Sequence, residues 1–165
     1  MKLEKFDNTL LIVGNLGELK AYKIKYELNI NPKDSAHTSH KHHKGELVEN
    51  LSFNLVDDEA FIEAHKKISE IVTDKQGHYE GVFGGVSGDG HNLEIEIVNR
   101  LLKLIANEID RLVATINPKE WYLVFPEAYN KELLSLLSDS SKDKLKSNIK
   151  ENLVKEKPSN IISKL

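Results

Sequence analysis

The chain predicts an α/β domain built on one mixed sheet, and three observations predict it. Thr9-Leu10-Leu11-Ile12-Val13 is an unbroken apolar run, the pattern of a strand buried on both faces. Two segments of period-two alternation follow it, as in half-exposed antiparallel strands. Later segments carry apolar residues at helical spacing and enclose a second apolar run, Trp121–Phe125. Hairpin strands first and β-α-β units afterwards imply a mixed sheet with helices on its faces.

The elements can be justified in order. Gly14-Asn15-Leu16-Gly17 is turn chemistry, so a hairpin follows the first strand. Tyr22, Ile24, Tyr26 and Leu28 then share one face of the second strand, with Lys23, Lys25 and Glu27 on the other. A polar loop spans about residues 29–45. Leu47, Leu51, Phe53 and Leu55 lie on one side of a third strand. Asp57 or Asp58 is expected to cap a helix whose stripe is Phe61, Ala64, Ile68, Ile71 and Val72, with Gly77 as its C-terminal cap. A second helix is predicted from Asn92 to Ile116, with Val98, Leu102, Ile105, Ile109, Leu112 and Ile116 inward. Asn117-Pro118 stops it. Pro126 ends the Trp121 strand and can open a helix with Tyr129, Leu133, Leu136 and Leu137 inward. A short helix or turn near Ser141–Ser147, a strand Ile149–Val154 and a helical turn within Pro158–Leu165 complete the order. Ribonuclease H-like domains are organised this way, and one domain over residues 1–165 is expected.

Composition narrows the function classes. The 39% hydrophobic and 30% charged content is ordinary for a soluble globular protein. A net charge of −3 does not describe a dedicated nucleic-acid binder, although it permits a local basic patch. The chain has no cysteine, which removes disulfides, thiolate metal sites and a cysteine nucleophile. The start, Met1-Lys2-Leu3-Glu4-Lys5, has no secretory apolar core, and no apolar run approaches membrane-span length. The expectation is a cytoplasmic protein with no membrane partner.

Six of the nine glycines fall between Gly77 and Gly90. Such a segment can reach positive φ and admit another backbone, but it cannot pack a core. It joins two helices, where connections are usually about 2–8 residues. Gly81, Gly84, Gly85, Gly88 and Gly90 are therefore candidates for a binding loop. The loop has no Gly-Lys-Ser/Thr and no preceding strand, so it is not a phosphate-binding loop of the nucleotide type.

The chain resembles the host-attachment protein family, regarded as bacterial relatives of the middle domain of archaeal and eukaryotic peptide-chain release factors. The resemblance rests on His91-Asn92-Leu93-Glu94-Ile95-Glu96 continuing into Leu101, Ile105, Ala106 and Ile109. It also rests on Tyr122-Leu123-Val124-Phe125 with Pro126, on the Leu133–Leu137 helix, and on the tail Ile149–Glu156. The opening hairpin fits as well, so most of the chain is covered. The resemblance implies a release-factor-like domain working in translation. Release factors carry Gly-Gly-Gln before the long helix, where the glutamine helps water attack the peptidyl-tRNA ester. Here the tract reads Gly84-Gly85-Val86, and valine cannot orient water. That departure argues against peptidyl-tRNA hydrolysis. The tail departs too: the family's usual Lys-Asp-Leu-Thr is replaced by Lys155-Glu156-Lys157-Pro158.

Other candidates come from the residues alone. His37, His40, His42 and His43 place four imidazoles in a seven-residue stretch that can bind transition metals, though a solvated loop is the plainer reading. His65, on the Phe61/Ile68 side of its helix, reads as a boundary residue. His78, Asp89 and His91 bracket the glycine loop and are candidates for acid/base or ester hydrolysis. His91 can equally precede the helix, with Glu94 and Glu96 suiting its positive end. A ribonuclease H-type nuclease needs carboxylates converging on metal ions, and Leu10–Val13 has none; Glu120 and Glu127 flank the later strand. Gly85-Val86-Ser87-Gly88-Asp89 fails the nucleophile-elbow pattern at its last position. Lys142, Lys144, Lys146, Lys150, Lys155 and Lys157 make the C-terminal part basic, and Lys41 and Lys44 flank the histidines. Lys41, Lys44, Lys142, Lys144, Lys146 and Lys150 are the RNA-binding candidates.

The resulting expectation is a non-catalytic module that binds the ribosome or RNA and needs no cofactor. The alternatives are a hydrolase of ester or phosphodiester bonds using the loop at 77–91, and a metal-responsive interaction protein using His37–His43. An exposed hairpin edge leaves room for a homodimer.

Overall fold

Strand β1 (Thr9–Gly14) forms where every residue can tolerate burial, and all six are buried. The computed structural model describes residues 2–30, 47–60 and 89–165, with the backbone alone at residues 30 and 89–91. A 3-10 turn at Leu3–Phe6 precedes β1. Asn15 closes the hairpin that follows: its side-chain oxygen accepts from the N–H groups of Gly17 (2.7 Å) and Glu18 (2.9 Å). This turn chemistry was legible in the sequence.

Strand β2 (Glu18–Ile30) pairs antiparallel with β1, and β3 (Leu47–Ala60) pairs antiparallel with β2. The register puts Tyr22, Ile24 and Tyr26 opposite Leu55, Phe53 and Leu51, which confirms the two alternating faces. The helix expected to begin at Asp57 or Asp58 does not begin there. Both residues belong to β3, which continues to Ala60 opposite Glu18. Asp58 pairs with Lys20 in the ladder, and Arg111 grips Asp57, so partners across the sheet outweigh the capping tendency. A bulge in β3 near Val56 absorbs the extra residue. The stripe from Phe61 to Val72 and the Gly77 cap lie outside the described residues.

Helix α1 (Asp89–Ile116) has 28 residues and is about 42 Å long. It starts earlier than the periodicity indicated: Asp89, Gly90 and His91 belong to its first turn rather than to the loop. Its buried stripe is also wider than expected, with Ile97, Leu101, Ala106 and Val113 joining Leu102, Ile105, Ile109 and Leu112. Asn117 ends the helix with a positive φ of 46° and an N–H bond to Val113 O, a conformation asparagine tolerates.

Strand β4 (Trp121–Val124) lies parallel to β1. Helix α2 (Glu127–Leu136) follows, with Pro126 as the capping residue just before it. Leu133 and Leu137 are buried there, whereas Leu136, expected inward, is 37% exposed. Helix α3 (Asp139–Lys144) begins two residues before the Ser141 expected, because Ser138 caps it by accepting from Ser141 N–H. Strand β5 is Leu145–Ile149, not Ile149–Val154. It is an edge strand parallel to β4, so a half-polar sequence suffices, while Val154 turns into the core beneath. Helix α4 (Pro158–Ile162) closes the described chain.

The five described strands form one mixed sheet in the order β3-β2-β1-β4-β5. One face carries Leu10, Ile12, Trp121, Leu123 and Phe125 against α1 and α2. The other carries Leu11, Val13, Tyr122 and Val124 against Phe6, Val154 and α4. Trp121 is fully buried and donates from Nε1 to Ser141 O at 2.7 Å, tying α3 to the sheet.

Candidate anion-binding cleft

Strands β1, β4 and β5 point the same way, so the sheet has distinct amino and carboxyl ends. In open α/β sheets ligands usually bind beyond the carboxyl ends, where the strand order reverses. Here β1, β4 and β5 step in one direction, and α1 and α2 cover the same face. The carboxyl end is also closed by its own amides. Asn130 donates to Phe125 O at 3.1 Å and to Asn148 Oδ1 at 2.9 Å, and Asn148 donates back at 2.6 Å. Asn15 reaches Asn152 at 3.3 Å.

The amino end is open. Lys5 sits in the turn before β1, Lys119 lies just before β4, and Lys146 is the second residue of β5. Backbone bonds hold this end together: Lys119 N–H donates to Asn8 O and Leu10 N–H to Glu120 O, each at 3.2 Å. The three lysines line a cleft of about 570 Å³ with Glu120, Tyr122 and Leu165. A second cleft of about 490 Å³ shares Lys5 and Lys119 and adds Lys2, Glu4, Asp7 and Asn8.

The charges in these clefts are unequally engaged. Glu120 accepts from Tyr122 Oη at 2.9 Å and lies 3.5 Å from Lys146 Nζ. Burial first, and then the bond to Glu120 and its negative charge, pushes the Tyr122 phenol far above its usual range. It therefore stays a neutral donor. Asp7 accepts from Tyr26 N–H at 2.9 Å. Lys5 lies over the Phe6 ring, 4.6 Å from its centroid. Glu120 and Asp7 are thus already bonded within the protein, while Lys2 and Lys119 are exposed. Ammonium groups spaced along a shallow surface suit phosphate oxygens.

Of the described lysines singled out in the sequence, Lys146 alone lines this cleft. Lys142 donates to Ser135 O at 3.4 Å, at the end of α2, and Lys144 to Asn117 Oδ1 just past α1. Lys150 is exposed beyond the end of β5. Lys41, Lys44, His37, His40, His42, His43, His65, His78, Gly81, Gly84, Gly85 and Gly88 lie outside the described residues, as do the side chains of Asp89 and His91. Gly90, expected in the binding loop, has helical backbone. Among the described residues no group of three or more histidine, aspartate or glutamate side chains is placed to hold a metal. No described helix is long and apolar enough to cross a membrane. Lys2, Lys5 and Lys119 carry no local sequence signal, because no basic run contains them. Their common signal is position, each lying just ahead of a parallel strand.

A mixed α/β sheet with long covering helices on one face and a lysine-lined amino end defines the class of domain. The chain belongs to the family described as "Protein required for attachment to host cells", whose pattern matches residues 13–165. No curated protein and no solved structure matches it.

Proposed function

We propose that this member of the host-attachment family is a non-catalytic module that binds RNA, free or on the ribosome, through the lysine cleft at the amino end of its sheet. The supporting observation is the convergence of Lys5, Lys119 and Lys146 on one open cleft of about 570 Å³. Lysines from three separate strand starts give a row of donors that can follow a phosphate backbone without reading bases. The release-factor-like character drawn from the sequence agrees with this role and belongs to the same proposal.

The test is binding of purified protein to ribosomes and to a fluorescent single-stranded RNA across a salt series. Affinity should fall steeply with salt, because phosphate contacts release counterions. Lys5→Glu with Lys119→Glu should abolish binding, while Lys150→Glu should change it little. Absence of wild-type binding at low salt, or equal loss in both variants, rejects the proposal.

A further inference from the structure

Strand β3 occupies one border of the sheet, and its fourteen residues contain no lysine, arginine or proline. Lysine and proline, with bulges and other charged residues, are how proteins usually keep a border strand from pairing with another chain, and in β3 the bulge and the acidic run guard only the end beyond Leu55. Its inner side is bonded to β2 along its length, and no described strand pairs with its outer side. Leu47 is 64% exposed and Leu55 is 53% exposed, both on the face shared with Leu51 and Phe53.

We propose that the outer edge of β3 pairs antiparallel with β3 of a second copy, about a two-fold axis at Leu51. Direction follows from charge. A parallel in-register pairing would set Asp57, Asp58 and Glu59 of both copies side by side, and like charges in that position destabilise a ladder. An antiparallel pairing sends the two acidic ends apart. Register follows from the bulge. The regular stretch before it runs from Leu47 to Leu55 and has Leu51 at its middle. Centred there, Leu47 faces Leu55 and Leu51 faces its own copy on one side of the sheet, while Asn50 faces Ser52 on the other. The contact is the same on both copies, as a closed two-fold dimer requires. It joins the five described strands of each copy into one continuous sheet and sets the exposed Leu47 and Leu55 against each other.

The test is the mass of the full chain by light scattering over the micromolar range. A dimer is expected. Leu47→Lys with Leu55→Lys puts like charges opposite each other at both ends of the pairing and should give a monomer; so should Leu47→Glu with Leu55→Glu. Mixing the two variants should restore the dimer mass, which misfolded chains would not do. Cysteine is otherwise absent from the chain, so Leu47→Cys mixed with Leu55→Cys should form a mixed disulfide that neither forms alone. A wild-type monomer, a dimer untouched by the charge variants, or no mixed disulfide overturns the proposal.

Discussion

Asn130 and Asn148 exchange amide hydrogen bonds in both directions across the end of β4, at 2.9 and 2.6 Å. Asn130 is 1% exposed and also donates to Phe125 O, so a single side chain links α2, β4 and β5. Asn130→Ala leaves Asn148 and a buried carbonyl without partners, a loss of about 1–3 kcal/mol. Chemical denaturation of both single variants and the double variant checks this. The double variant should lose less than the sum of the singles, and additive losses would mean that the pair is not coupled.

Gly14 has no room for a side chain. A Cβ there would lie 2.6 Å from Leu19 Cδ1, 3.2 Å from Glu18 O and 3.3 Å from Phe125 Cε2. Leu19 and Phe125 are themselves buried and cannot swing away. Gly14→Ala should therefore cost about 1–3 kcal/mol through overpacking. The denaturation midpoint should fall with an unchanged slope. An unchanged midpoint would mean that the hairpin end relaxes freely.

Glu59 sits beside Glu108, Asp57 and Arg111 where β3 meets α1. Burial, followed by the charges of Glu108 and Asp57, raises its carboxyl above the usual value, and Arg111 opposes them. The folded protein thus keeps this proton at a pH where the unfolded chain has released it. The group's contribution is fully present below the ordinary glutamate value near 4.5 and is lost as pH rises through the raised folded value. Glu59→Gln should remove that decline and leave the variant slightly more stable than wild type at neutral pH. Melting temperatures measured from pH 4 to 7 test it, and parallel curves would disprove it.

Within the cleft Glu120 lies 3.5 Å from Lys146 Nζ and offsets its charge. Glu120→Gln removes a negative charge and releases that lysine, while the amide can still accept from Tyr122. An exposed ion pair of this kind is worth about 0.2–1 kcal/mol, so RNA affinity at low salt should rise roughly 1.4- to 5-fold. A titration showing weaker binding would place the ligand elsewhere.

The sheet was largely legible because its strands announce themselves through burial. β1 and β4 are continuous apolar runs, and the alternation in β2 and β3 survives in the register that pairs Ile24 with Phe53. What was not legible depended on partners far away in the chain. Asp57 reads as a helix cap until Arg111, more than fifty positions on, is seen to hold it in the sheet. β5 reads as polar because an edge strand needs little burial. The cleft was hidden for the same reason: Lys5, Lys119 and Lys146 become neighbours only when three parallel strands align. The closely spaced lysines Lys142, Lys144, Lys146 and Lys150 are the local basic signal instead, yet Lys142 is bonded to Ser135 O and Lys144 to Asn117 Oδ1.

Strand β1 has two neighbours of very different origin. β2 reaches it through a short local turn, but β4 brings Trp121 alongside Leu10 only after the intervening chain has been gathered in. Closing so long a loop costs entropy before any contact compensates for it, and such pairings slow folding. The meander of β1, β2 and β3 is thus placed to form early, with the junction of β1 and β4 as the late event. The only tryptophan in the chain lies on that junction, so its fluorescence reports on a region whose strand pairing is non-local in sequence.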